Sequence, residues 1–370
     1  MAKKIVVQLG ERSYPIFITR KAFRPLGPLL KKINLGKDLF VVSTPKVKSL
    51  YGASLQKSLT HSGLRIHFTR QKFPQGARSE KAKSHDYAHR LVRELVRYSK
   101  GGKQFVLASF SGGVLGDLTG YVASVYKRGI PYLQIPTTLL AQVDSSIGGK
   151  VGIDLPEGKN LLGSIYQPRL VYASLSVLGG LRTETLRDGL AEVVKYGVIA
   201  DPSLFSYLEK NFKRLLGKKP DLQALEHIVW SCAKIKASIV SQDERDEKGV
   251  RALLNFGHTL GHALEQAKGY RISHGKAISF GMVCAGEIAF RLGLFSEKNL
   301  GRLESLLLTL RLPTRISGVS VGQILRAESH DKKFIHGRNR YVLPTRIGKA
   351  VLREGVSYRL IRKVLSERLV

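Results

Sequence analysis

Two histidines, His258 and His262, stand four residues apart in the stretch "LLNFGHTLGHALE". On a helix, positions i and i+4 lie one above the other, so both rings can reach one point. The metalloprotease version of this spacing needs a Glu directly after the first His. Thr259 occupies that place, so that chemistry is excluded, and an ordinary polar helix face competes with a ligand pair. "RDGLAEVVKYG" puts Glu192 and Lys195 three apart on one helical face, a spacing more often used for a surface ion pair. "YRISHGKAIS" places His274 beside Gly275 at the expected start of a helix, where alone it would read as a capping or loop residue. Together Glu192, His258 and His274 offer one carboxylate and two imidazoles, a set suited to a divalent metal such as zinc with open positions.

Glycine-rich stretches suggest a second kind of chemistry. "FSGGVLGDLTG" follows an expected strand and opens an expected helix, a turn at which backbone N–H groups approach a phosphate and the helix N-terminus favours the anion. Gly112, Gly113 and Gly116 do not form the GxGxxG fingerprint, so a tight strand-to-helix turn accounts for them equally well. "IPTTLLAQVDSSIGGKVGID" and "GKNLLG" gather Asp144, Lys150, Lys159 and Asn160 among Gly148, Gly149, Gly152, Gly158 and Gly163. Lys beside paired Gly suits a phosphate or carboxylate, and Asp144 suits a sugar hydroxyl. Glycine at this density implies close backbone approach.

These groups must be held by two kinds of element. As far as about residue 170, "KIVVQLG", "YPIFITR", "DLFVVST", "LRIHFTR", "KQFVLASF" and "PYLQIPTT" read as strands, with helices such as "SHDYAHRLVRELVRYS" between them. Strands alternating with helices imply parallel βαβ units. Beyond about 180, amphipathic runs such as "TETLRDGLAEVVKYGVIA" and "GKAISFGMVCAGEIAFRLGL" imply helices. A boundary is expected near "SVLGGLRTE", with Thr183 as a helix cap, giving an α/β domain over 1–178 and an all-α domain over 179–370.

The bulk properties agree with a soluble globular protein. The chain has 370 residues, 43% hydrophobic and 24% charged, enough for two cores. Cys232 and Cys284 make no disulfide framework or metal-knuckle spacing, so a reducing, cytoplasmic setting is expected. The opening "MAKKIVVQLGERSYP" has too short an apolar run for a signal peptide, and no segment approaches the ~18 apolar residues of a membrane span. The net charge of +33 invites a nucleic-acid reading, but the basic residues are spread through the chain without a binding motif. A solvated basic surface that concentrates anionic substrates is expected instead, with no nucleic-acid or membrane partner.

In chain order, "GGVLGDLTGYVAS", "PTTLLAQVDSSIGGK", "GKNLLGSIYQP", "GLAEVVKYGVI", "DER", "LLNFGHTLGHALE", "HGKAISFGM" and "HDKK" closely resemble the 3-dehydroquinate synthase family over roughly residues 75 to 350. The resemblance implies a Rossmann-like NAD-binding domain, a helical zinc-binding (or cobalt-binding) domain with the active site between them, and a homodimer. It implies a phosphorus–oxygen lyase of the shikimate pathway, which leads to the aromatic amino acids. Such an enzyme turns 3-deoxy-D-arabino-heptulosonate 7-phosphate into 3-dehydroquinate and phosphate. Transient hydride transfer to NAD makes a carbon of the substrate a ketone and acidifies the neighbouring proton. Phosphate is then eliminated, the hydride returned, and an intramolecular aldol closes the ring.

Carried over residue by residue, the resemblance makes Glu192, His258 and His274 the metal ligands. It assigns His262, Lys150, Asn160 and Lys332 to the substrate phosphate, with Arg128 supplied by the other subunit. Lys236 and Arg251 match the carboxylate grip, and Asp144, Lys195 and Asn255 face substrate hydroxyls. Glu80, Lys83, Gly112, Gly113, Asp117, Thr137 and Thr138 match the NAD-binding places, with Lys159 beside them. The sequence departs from the family where Ser111 begins the usual triple glycine and where "HGK" brings Lys276 next to a ligand. An inward-pointing Lys276 would weaken metal binding. "DERDEKGVR" is one residue longer than usual, leaving open whether Asp246 or Glu247 takes the acidic position, and "VVSTPKV" lacks the acidic residue often found on the adenosine ribose. Related sugar-phosphate cyclases, a metal-dependent polyol dehydrogenase and a basic nucleic-acid-binding protein are the rival readings.

Overall fold

The structure is a computed structural model that describes residues 2–217, 219–329 and 339–370. The chain divides into two compact units, Met1–Leu181 with Pro220–Glu244, and Arg182–Lys219 with Arg245–Val370. The first contains, in order, β1 (Lys3–Val7), β2 (Tyr14–Thr19), α1 (Leu26–Ile33), β3 (Asp38–Ser43), α2 (Pro45–His61) and β4 (Arg65–Phe68). It continues with α3 (His85–Tyr98), β5 (Val106–Ser111), α4 (Gly113–Val125), β6 (Tyr132–Pro136), β7 (Lys150–Leu155), β8 (Gly158–Ile165) and β9 (Leu170–Ser174).

Seven of these strands form one sheet in the order β1-β2-β9-β6-β5-β3-β4. Only the β1–β2 pairing is antiparallel. β3, β5, β6 and β9 are buried along their whole lengths, as parallel strands covered on both faces must be, which is why they read as continuous apolar runs rather than alternations. The edges carry exposed charge, Lys3 and Lys4 on β1 and Arg65 on β4, which discourages further strand pairing. On α3, Ala88, Leu91 and Leu95 are buried, one stripe at helical spacing. They join Phe40, Leu107, Leu118 and Val122 in a core cluster.

The glycine-rich stretch after β6 forms an antiparallel hairpin, β7–β8, in which Gly152 faces Gly163. A Cβ on Gly163 would lie 2.4 Å from the Val151 carbonyl oxygen. The close approach expected from glycine density is therefore between these two strands.

The second unit contains α5 (Thr183–Ile199) and α6 (Pro202–Leu216), after which α7 (Leu222–Gln242) belongs to the first unit. Then come α8 (His258–Ala267), α9 (His274–Arg291), α10 (Glu297–Thr309), α11 (Val321–Ser329), the hairpin β10 (Arg340–Arg346) and β11 (Lys349–Glu354), and α12 (Tyr358–Arg368). Thr183 does not cap α5. Arg182 holds the capping position and no side chain bonds the first turn, so Thr183 is simply the first helical residue. True caps sit further on, where Asp201 and Asp221 accept backbone N–H groups at the starts of α6 and α7.

α9 is buried on nearly every side from Gly275 to Ala289 and forms the core against which α5 and α8 pack. Its contact with α8 is backbone to backbone: a Cβ on Gly281 would lie 1.9 Å from the Gly257 carbonyl oxygen. The architecture is thus a parallel-sheet α/β unit and a mostly helical unit, as expected, with the β10–β11 hairpin as an addition to the helices. Among the described residues, no helix is long and apolar enough to cross a membrane.

Candidate active site

Three elements of the second unit bring a donor set together. α5 contributes Glu192, fully buried, α8 contributes His258 at its first residue, and α9 contributes His274 at its first residue. Glu192 Oε1 lies 3.2 Å from His274 Nε2 and 3.4 Å from His258 Nε2. The ligand atoms of the three residues lie within 4.8 Å of one another. The opposite nitrogens are already committed. His258 Nδ1 is 3.0 Å from the Phe256 carbonyl oxygen and His274 Nδ1 is 3.2 Å from Glu265 Oε1. A carbonyl or carboxylate can only accept, so each Nδ1 carries a hydrogen, and His274 Nε2 shares a second one with Glu192 Oε1. Once that hydrogen is released, two neutral imidazoles with Nε2 turned to one carboxylate fit zinc or cobalt.

Burial works against a charged His274, but hydrogen bonds to Glu192 and Glu265 outweigh it and push the ring up to about 10. A cation taking Nε2 must therefore displace a proton. Asp188, one turn before Glu192 on α5, accepts the Ser273 hydroxyl at 2.6 Å and a hydrogen bond from the backbone of Gly275. It thus holds both chain neighbours of His274. Gly275 is required there, because a Cβ would come within 2.5 Å of Asp188 Cα.

Lys195 meets Glu192 Oε2 and is itself buried. Such i,i+3 pairs are commoner at the surface, but this one is an interior ion pair. His262 lies half-buried one turn beyond His258, with ring centroids 5.2 Å from His258 and 6.2 Å from His274. It forms a second possible donor group with Glu265 and His274. Arg251, buried, and Asn255, half-buried, lie on the short 3-10 turn Arg251–Asn255 that leads into α8. Lys276 is exposed, so it does not point inward at the donor set.

The first unit gathers a different set. Lys83, only 4% exposed, bonds Asp117 on α4 at 2.9 Å and donates to Asn160 Oδ1 on β8. Burial lowers the tendency of Lys83 to carry charge, but Asp117 and Glu80 outweigh it and hold the ammonium charged. Glu80 lies 3.4 Å from Lys159. Asn160 has a left-handed backbone, φ 54°, and its N–H is held by Asp154 Oδ1 at 2.8 Å. Lys236 on α7 bonds both the carboxylate and the carbonyl oxygen of Asp144, at 2.9 and 2.8 Å. Asp144 sits in a π-helical turn, Ala141–Ser145, a distortion frequent at functional positions.

Gly112 and Gly113 form the turn from β5 into α4, where added Cβ atoms would lie 3.0 Å from Thr138 Cγ2 and 2.6 Å from Ser145 Oγ. Thr137 is buried and its N–H bonds the Ser111 carbonyl, while Thr138 Oγ1 accepts from the Ala141 N–H. Lys150 is exposed at the start of β7. Arg128 is exposed with φ 63°, directly after Lys127 at φ 50°. Lys332 lies outside the described residues.

Sequence reading missed three groups that hold the others: Asp154, Asp188 and Glu265. Glu265 carried a signal, since it follows His258 by seven residues and His262 by three, on the same helix face. Asp188 carried none, because Ser273 is distant in sequence, and Asp154 carried none, because the β7–β8 turn and not a helical or strand spacing brings it to the Asn160 N–H.

Two family models cover the chain, 3-dehydroquinate synthase N-terminal over residues 75–188 and 3-dehydroquinate synthase C-terminal over 189–334. The chain belongs to the 3-dehydroquinate synthase family. A 3-dehydroquinate synthase of Desulforamulus reducens is 41% identical, covering 98% of this chain and 99% of that protein. One from Caldanaerobacter subterraneus is 43% identical over 94% and 95%. Among solved structures, a 2-epi-5-epi-valiolone synthase from Streptomyces hygroscopicus with NAD+ and Zn2+ bound is similar at TM-score 0.86 and 28% identity, covering 98% of this chain and 99% of that one. A 2-deoxy-scyllo-inosose synthase complexed with carbaglucose-6-phosphate, NAD+ and Co2+ shares the fold at TM-score 0.85 and 24% identity, over the full length of both chains.

Proposed function

We propose that the chain converts 3-deoxy-D-arabino-heptulosonate 7-phosphate to 3-dehydroquinate and phosphate, with NAD and zinc or cobalt as cofactors. The observation that carries the reading is the convergence of Glu192 with the Nε2 atoms of His258 and His274, in a chain of this family. The NAD+ and metal bound by solved relatives support the cofactors. A metal ion, when bound, supplies Lewis acidity toward a substrate hydroxyl, and NAD, when bound, takes and returns a hydride.

The chain's own residues bind and orient. Glu192, His258 and His274 are the metal ligands. Lys195, held against Glu192, has an ammonium proton at Nζ to share with a substrate hydroxyl, and Asp144 and Asn255 orient further hydroxyls. Lys150, Asn160 and His262, with Lys332, grip the phosphate. Lys236 and Arg251 grip the carboxylate. Glu80, Lys83, Gly112, Gly113, Asp117, Thr137, Thr138 and Lys159 serve NAD, in an α/β domain ending near residue 178. Arg128 completes the phosphate grip of the other subunit in a homodimer, a reading supported by its exposure and by two consecutive non-glycine residues held left-handed. A cytoplasmic setting is supported by two buried cysteines, Cys232 and Cys284, that are not joined in a disulfide.

A polyol dehydrogenase is the alternative, since an iron-containing alcohol dehydrogenase shares the fold at TM-score 0.65 and 14% identity. Following phosphate and NADH together separates the two. The synthase reading expects many phosphates released per trace NAD, with little NADH accumulating. Stoichiometric NADH without phosphate leaves the dehydrogenase standing.

A further inference from the structure

His274 belongs to two possible donor groups at once, Glu192 with His258, and His262 with Glu265. A neutral imidazole has one lone pair, so it serves only one group at a time. We infer that Glu265 is a positioning residue that makes this choice, by accepting a hydrogen from His274 Nδ1 and so presenting Nε2 toward Glu192 and His258. The inference rests on the metal reading above and assigns the second carboxylate a role outside the ligand set.

The geometry separates the two carboxylates. Glu192 Oε1 faces the Nε2 atoms of two different rings, at 3.2 and 3.4 Å. Glu265 Oε1 faces the other nitrogen of His274, at 3.2 Å. Glu265 is 5% exposed, so its hydrogen bond to the ring is shielded from water and holds the ring plane as well as the tautomer. His258 receives the equivalent restraint from a backbone carbonyl. Both rings open a helix, His258 α8 and His274 α9, and in both the hydrogen on Nδ1 is held by an acceptor oxygen, a backbone carbonyl for one and Glu265 for the other.

The test is metal affinity and geometry, read without turnover. Zinc dissociation constants are measured by competition with a chromophoric chelator, and the visible absorption of the cobalt-loaded protein is recorded, for the wild type, E265A and E265Q. E265A is expected to bind zinc about 10–100-fold more weakly, with an altered cobalt spectrum. E265Q keeps an acceptor oxygen for the Nδ1 hydrogen and is expected to stay within about threefold of the wild type, with its spectrum retained. Wild-type affinity and spectrum in E265A would overturn the inference. So would a loss in E265Q as deep as that in E265A, because Glu265 would then be a ligand itself. If E265A does not fold, E265Q alone still decides, since affinity within about threefold of the wild type supports the inference and a loss of more than about tenfold overturns it. A wild-type chain that takes up no metal would sink the parent reading instead.

Discussion

The donor set of the second unit and the charged cluster of the first unit are built on opposite plans. Around His258 and His274, every nitrogen that faces away from Glu192 is already bonded to an acceptor, and both Nε2 atoms are turned toward Glu192 Oε1. Around Lys83, the charged and polar groups are bonded to one another, ammonium to Asp117 and Asn160, and Lys159 to Glu80. Lys236 and Asp144 do the same. The first set is oriented before any ligand arrives, whereas the second must exchange internal partners for a ligand's. Removal of Glu192, His258 or His274 should accordingly abolish metal binding outright, and substitutions in the first unit should weaken ligand affinity by graded amounts.

The largest break is expected from Glu192→Ala, which removes a ligand and strands the buried Lys195 ammonium. Loss of one partner of a buried pair costs about 3–5 kcal/mol, so denaturant unfolding should shift by that amount and bound zinc should vanish. The double variant E192A/K195M should recover most of the stability and none of the zinc. Recovery of zinc would remove Glu192 from the ligand set.

Next in size is a pH effect. With His274 raised to about 10, zinc displaces one proton, so its affinity should rise about tenfold per pH unit below about 10 and level off above. The same ring stabilises the metal-free protein. Its folded value lies above the unfolded one of about 6.5, so that contribution is complete below about 6.5 and is lost as pH rises through about 10. Zinc affinity that ignores pH would show that His274 gives up no proton.

In the first unit, Lys83→Met should weaken NAD by about tenfold to a hundredfold, the worth of about 1.5–3 kcal/mol for a charged hydrogen bond. Zinc affinity should not move. A titration in which both ligands weaken equally would erase the contrast between the two plans. The smallest effect is expected from Lys276→Glu. The side chain is exposed, so zinc affinity should change less than about threefold and the change should fade in salt. A larger, salt-resistant change would mean that it reaches the donor set.

The same contrast explains what was legible in the sequence. β3, β5 and β6 announced themselves as β-branched or aromatic runs because both faces are covered. β7 and β8 did not, since their pairing depends on Gly152 facing Gly163, and glycine weakens any strand signal. β10 was hidden by Pro344 and by charged ends. The return of α7 to the first unit has no counterpart in local composition, because packing and not propensity decides which core a helix joins. The donor types and their spacing were readable within each motif. Their wiring was not: Glu265 to His274 links α8 to α9, and Asp188 to Ser273 links α5 to the start of α9. Each of these contacts joins two different helices, and α8 and α9 themselves meet backbone to backbone at Gly281.

In the proposed function, two histidines one helical turn apart, His258 and His262, do different work. Zinc content per chain, measured after equilibrium dialysis for the wild type and for His258→Ala, His274→Ala and His262→Ala, tests it. The expected result is about one zinc in the wild type and in His262→Ala, and none in the other two. Loss of zinc from His262→Ala together with its retention in His258→Ala would contradict the account and transfer the metal to the donor group of His262, Glu265 and His274.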